Sequence, residues 1–110
     1  MMTDFTDDTI QNGALTVFAT MRARAGQQSQ LKEVLTSLIV PTRSDPGLIS
    51  YELYQDTTDE GQFCFLEVWE SVDALEHHMN QPHLEAFTSR EADLVDGGIR
   101  VHRLRLLDRC

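Results

Sequence analysis

The chain has 110 residues, 41% hydrophobic and 25% charged, and carries a net charge of −9 from 18 acidic against 9 basic side chains. That length makes one domain, able to bury roughly two thirds of its unfolded surface without disulfides or metal staples. The acidic balance repels polyphosphates and anionic lipid and argues against nucleic acid or a membrane as partner. No apolar run reaches the roughly 18 residues a membrane span needs, and no basic-then-apolar leader opens the chain, which predicts a cytoplasmic protein. Cys64 in mid-strand and Cys110 at the chain end imply no disulfide framework.

Residues 1–13 hold Asp4, Asp7 and Asp8 and no sustained period, which reads as a flexible acidic arm before a domain spanning 14–110. From Leu15 to Arg24 the odd positions are Leu15, Val17, Ala19, Met21 and Ala23, a strand with an apolar odd face. Its even face, with Phe18, is mixed and suits a pocket or an interface. Leu31, Val34, Leu35, Leu38 and Ile39 then follow the helical period as one apolar stripe. Pro41 closes that helix, and Asp45-Pro46-Gly47 makes a turn in which Pro sets φ and Gly is free to take positive φ.

Leu48 to Asp56 alternates Ile49, Tyr51 and Leu53 against Ser50, Glu52 and Tyr54, a second strand. Asp59-Glu60-Gly61 reads as the reversal of a hairpin into a third strand, Phe63 to Trp69. That strand is apolar at odd positions (Phe63, Phe65, Trp69, with Glu67 among them) and at even ones (Cys64, Leu66, Val68). It must therefore be covered twice. Ser71 reads as an N-cap with Asp73 in the first turn, opening a helix with Val72, Leu75 and Met79 on its apolar side and ending near Asn80. Pro82 starts a further helical segment with His83, Leu84 and Phe87. Gly97-Gly98 precedes a last strand, Ile99 to Leu107, whose change of apolar parity predicts a bulge near His102 and Arg103.

The order βαββαβ is that of the α+β ferredoxin-like fold, a four-stranded antiparallel sheet with helices on one face. Phe63, Phe65 and Trp69 are expected on the face the helices leave open, joined by Phe18. Such a patch calls for a second copy of the chain, sheet against sheet.

The stretches TRSDPGLISYELYQD and FCFLEVWESVDALEHHMNQPHLEAF resemble the antibiotic biosynthesis monooxygenase (ABM) family of dimeric α+β barrels, over about residues 15 to 107. The resemblance rests on the turn Asp45-Pro46-Gly47, on Tyr51, on Glu67-Val68-Trp69-Glu70, and on His78, Pro82-His83 and Phe87. It implies a homodimer with a pocket between sheet and helices in each copy. It also implies a cofactor-independent monooxygenase in which a base deprotonates a small aromatic or quinol-type substrate that then reduces O₂. His78 or His83 is the expected base, near neutral pKa. Trp69, Tyr51, Phe18, Phe65, Glu67 and Phe87 are the expected substrate-binding walls, with an Arg such as Arg22, Arg103 or Arg105 as the expected partner of Glu67. The same dimeric barrel also serves non-oxygenase members, a small-metabolite isomerase or binding protein, which is the alternative reading.

The spacing of His77, His78 and His83 matches no metal motif, so no metal is expected. Haem-degrading relatives call for an Asn on the first strand, a Trp on the second helix and a His further on. Here the first strand has no Asn, and His78 and Thr88 occupy the other two positions, so no haem is expected either.

Overall fold

In a computed structural model describing residues 14–109, the chain forms β1 (Leu15–Ala23), α1 (Gln28–Ser37), α2 (Ile39–Thr42), β2 (Leu48–Asp56), β3 (Asp59–Trp69), α3 (Val72–Met79), α4 (Pro82–Thr88), α5 (Glu91–Leu94) and β4 (Val95–Leu104). The expected arm over residues 1–13 lies outside the described residues. The strands pair in the order β2-β3-β1-β4, all antiparallel. This is the ferredoxin-like α+β fold, with its helices packed on one face.

The aromatic residues of β3 lie on the helix-covered face, not on the open one as the sequence suggested. Phe63, Phe65, Glu67 and Trp69 are all buried there, opposite Met21, Ala19, Val17 and Leu15 of β1. The pairing complements size: the small Ala19 and Ala23 leave room for the rings of β3 and for Leu31 and Leu35 of α1 to pack over them. Each of those side chains contributes roughly 1.5–3 kcal/mol by leaving water. The open face is built instead from the even residues. Phe18, Cys64, Leu66 and Val68 are half-buried there, flanked by Tyr54 of β2 and His102 of β4.

Irregularities in the ladders decide which side chains reach the core. β2 slips one place between Leu48 and Ser50, so Leu48 packs inward against Trp69 while Ile49 is displaced outward and is 56% exposed. The expected Ile49–Tyr51–Leu53 face therefore begins at Leu48. The hairpin reverses at Thr57-Thr58, where Asp56 Oδ1 accepts from Thr58 N at 2.8 Å. The residues Asp59–Gly61, expected as the reversal, belong to an irregular start of β3. In β4 the irregularity lies at Gly97 and Gly98, both at positive φ, inside a strand that already begins at Val95. After this bulge Val101 and Arg103 pair with Ala19 and Val17, and so share the helix side of the sheet.

Candidate functional site

Between the helices and the β1–β3 floor lies a cavity of about 290 Å³, lined chiefly by apolar side chains from β1, β3, α3 and α4. That volume sits at the low edge of the roughly 300–1,000 Å³ of small-molecule sites. Its polar lining is Tyr51, Glu67, His78, Thr88, Glu91 and Arg103.

His78 reaches the cavity because α3 turns Leu75 and His78 inward; of the expected apolar stripe, Met79 also lines the cavity though 49% exposed, while Val72 is 43% exposed and does not line it. The helix begins at Ser71, whose Oγ accepts from the Ala74 N–H at 3.1 Å, and Asp73 sits in its first turn. His78 is 1% exposed, and its Nδ1 lies 2.6 Å from Asp45 Oδ2. With that nitrogen donating to the carboxylate, the neutral ring presents Nε2 as an acceptor, and no described residue bonds it. Burial holds the His78 pKa below its usual value; Asp45 pushes the other way and His83 adds to the lowering.

His83 Nε2 donates to the same oxygen, Asp45 Oδ2, at 3.1 Å. The expected bases thus converge on one carboxylate, but only His78 lines the cavity. Asp45 was read in the sequence as a turn residue; it is buried, and the turn delivers it to both imidazoles. Gly47 makes this possible. At φ +82 it lies so close to α3 that a Cβ would stand 2.5 Å from Ala74 Cβ. Asp45, His78 and His83 bring heteroatoms within 4.8 Å of one another and are the described group that could hold a metal ion. Any ion there would have to displace the protons those hydrogen bonds share.

Trp69, expected as a substrate-binding wall, is fully buried and does not line the cavity. Its ring lies 4.5 Å from that of His78, and its Nε1 donates to Glu67 Oε1 at 2.9 Å. Glu67 has no Arg partner among the described residues; Arg22 pairs with Asp59 instead. Burial raises the Glu67 carboxyl to about 7, with the Trp69 hydrogen bond opposing. Tyr51 stacks on Phe65 at 4.8 Å and meets His78 edge-on at 5.6 Å. Burial, then the nearby Glu67 charge, push its phenol well above the ordinary value, so it stays a neutral donor. Phe65 and Phe87 line the cavity. Phe18 does not: its even parity points it to the open face, 6.5 Å from the ring of His102.

Residues 14–90 match the antibiotic biosynthesis monooxygenase family, and the chain belongs to it. Among its relatives is a protein of Mycobacterium tuberculosis, named "Putative monooxygenase Rv0793", 32% identical over 84% of this chain and 90% of that one. The structure of Rv0793 superposes with a TM-score of 0.82. PA3566 of Pseudomonas aeruginosa, at 31% identity, also superposes with a TM-score of 0.82, over 87% of this chain and 96% of that one. An uncharacterized Synechocystis protein, sll1783, is 31% identical over 74% of this chain, a stretch that spans 55% of the cyanobacterial protein's own length.

Proposed function

We propose that the chain is a homodimeric monooxygenase that oxidises a small phenol or hydroquinone with O₂ and needs no added cofactor. The observation that carries this reading is His78, buried and tied through Nδ1 to Asp45, on the wall of an apolar cavity beside Tyr51 and Glu67. Nε2 of the neutral ring takes the substrate hydroxyl proton. His83 holds Asp45 in place, and Asp45 holds the His78 tautomer.

The resulting phenolate is the reductant. It passes one electron to O₂, and the radical pair combines into a ring hydroperoxide at a carbon that carried hydrogen. Loss of water then leaves a carbonyl at that carbon. One oxygen atom of O₂ is kept in the quinone, the other leaves as water, and the ring is oxidised by four electrons. The Tyr51 hydroxyl and a protonated Glu67 supply donors for the peroxide as charge develops on it. The apolar walls of Phe65, Leu75, Leu84 and Phe87 keep bulk water from quenching the pair.

The second copy covers the open sheet face, where Phe18, Leu66 and Val68 form an apolar centre. Oxygen-electrode traces with a panel of phenols and hydroquinones test the reading. Consumption well above the uncatalysed rate is expected for at least one member. None across the panel would move the assignment to a non-oxygenase that uses the same cavity as an isomerase or binding site.

A further inference from the structure

Apart from Thr88 and Glu91 on the helix side, the cavity has polar groups at two places on the sheet with an apolar span between them. One is the deep cluster of Tyr51, Glu67 and His78; the other is on β4. The register shows how they are related: Tyr51 pairs with Glu67, Glu67 with Val17, and Val17 with Arg103. Tyr51, Glu67, Val17 and Arg103 therefore form one row across the sheet, all lining the cavity. At about 4.8 Å between neighbouring strands, the backbone of Arg103 lies on the order of 10 Å from that of Glu67, with Val17 as the apolar floor between them.

Arg103 is exposed, and no acidic side chain among the described residues pairs with its guanidinium. The acid on the same rim, Glu91, packs near Gly98. Arg103 lies five residue steps along β4 from Gly98, roughly 16 Å, so the rim is negative at one end and positive at the other. The positive end is level with the reacting cluster. In a chain with a net charge of −9, an unpaired cation at the edge of an apolar cavity marks the place where a ligand anion would be favoured.

We propose that Arg103 is a specificity-determining residue, selecting aromatic substrates that carry an anionic group, a carboxylate or its like, on the side of the ring away from the reacting hydroxyl. The inference rests on the oxygenase reading for its reaction. It adds the substrate class. The ring lies over Val17, its hydroxyl toward His78 and its carboxylate toward the guanidinium fork, which matches two oxygens at once.

Paired substrates test it: 2,5-dihydroxybenzoate against 2,5-dihydroxybenzamide, equal in shape and different in charge. The expected result is a kcat/KM ratio of roughly tenfold or more in favour of the carboxylate, carried mostly by KM. The ratio should collapse toward one in Arg103→Gln and partly return in Arg103→Lys. Calorimetric binding of the redox-inert pair 4-methoxybenzoate and 4-methoxybenzamide separates this inference from the oxygenase reading. Arg103-dependent preference for the benzoate without turnover of any hydroquinone would support the anion site and overturn the oxygenase. Turnover with no charge preference in wild type, or a preference that survives Arg103→Gln, would overturn the role of Arg103 and leave the oxygenase standing.

Discussion

His78 combines burial that favours the neutral ring with a carboxylate that fixes the tautomer. Replacing it by Gln should lower turnover by about a hundredfold or more, the low side of what losing a general base costs. Stopped-flow or oxygen-electrode rates check this, and an unchanged rate would sink the assignment. As the proposed base His78 must be neutral, so activity should fall only below the ordinary imidazole value of about 6.5. In the proposed reaction Glu67 donates in its protonated form, and burial raises its carboxyl to about 7, so an alkaline limb is expected near there, and it should vanish in Glu67→Gln. The same shift bears on stability. The folded carboxyl binds its proton more tightly than the unfolded one, so its contribution is fully present below about 4.5 and is lost as pH rises through about 7. Glu67→Gln should therefore gain on wild type between those limits, by on the order of 1–3 kcal/mol in urea titrations at pH 5 and pH 8. Tyr51, Glu67, His78, Phe65 and Phe87 were legible as residues that would line the cavity, because each has a chemistry or a strand parity that points inward. Asp45 was not. A turn of Asp, Pro and Gly already explains an aspartate, and nothing local says that two distant imidazoles need the same oxygen.

α3 is positioned by its start and by the turn beneath it. Ser71→Ala removes the cap on Ala74 and should cost about 1 kcal/mol, read as a drop in the denaturation midpoint. Gly47→Ala is expected to be worse, since it strains a backbone at φ +82 and drives a methyl into Ala74. It should destabilise by more than about 1 kcal/mol and also reduce turnover, because the turn that carries Asp45 must move away from His78. The helix existed in the sequence, but its rotation did not. Val72, Leu75 and Met79 satisfy the helical period as well as Leu75 and His78 do, and tertiary contacts with Trp69 and Asp45 hold the imidazole inward. The bulge at Ile49 has a similar origin. Leu48 enters the core because Trp69 is its cross-strand neighbour, a fact that no count along β2 alone supplies.

At the scale of the whole molecule, the sheet has one covered and one open face, and the open face is apolar at its centre. Leu66→Glu places a charge there without touching the cavity lining. If two copies meet at this face, sedimentation should show a dimer for the native chain and a shift toward monomer for the variant, with secondary structure by circular dichroism retained. A native monomer at micromolar concentration would overturn the sheet-to-sheet pairing.

The sequence by itself determined the order of elements, the antiparallel sheet and the apolar character of β3 on both faces. These follow from hydrophobic period, turn chemistry and length, all local properties of the chain. The tertiary structure decided which face of β3 received the helices, because a strand apolar on both faces is symmetric until its neighbours are known. The small Ala19 and Ala23 of β1 broke that symmetry by making room for rings and helix on one side. It decided the site for the same reason. Asp45, His78 and His83 are separated along the chain and meet only when the turn before β2 packs against α3, and Arg103 joins Glu67 only through the register of β1 between them.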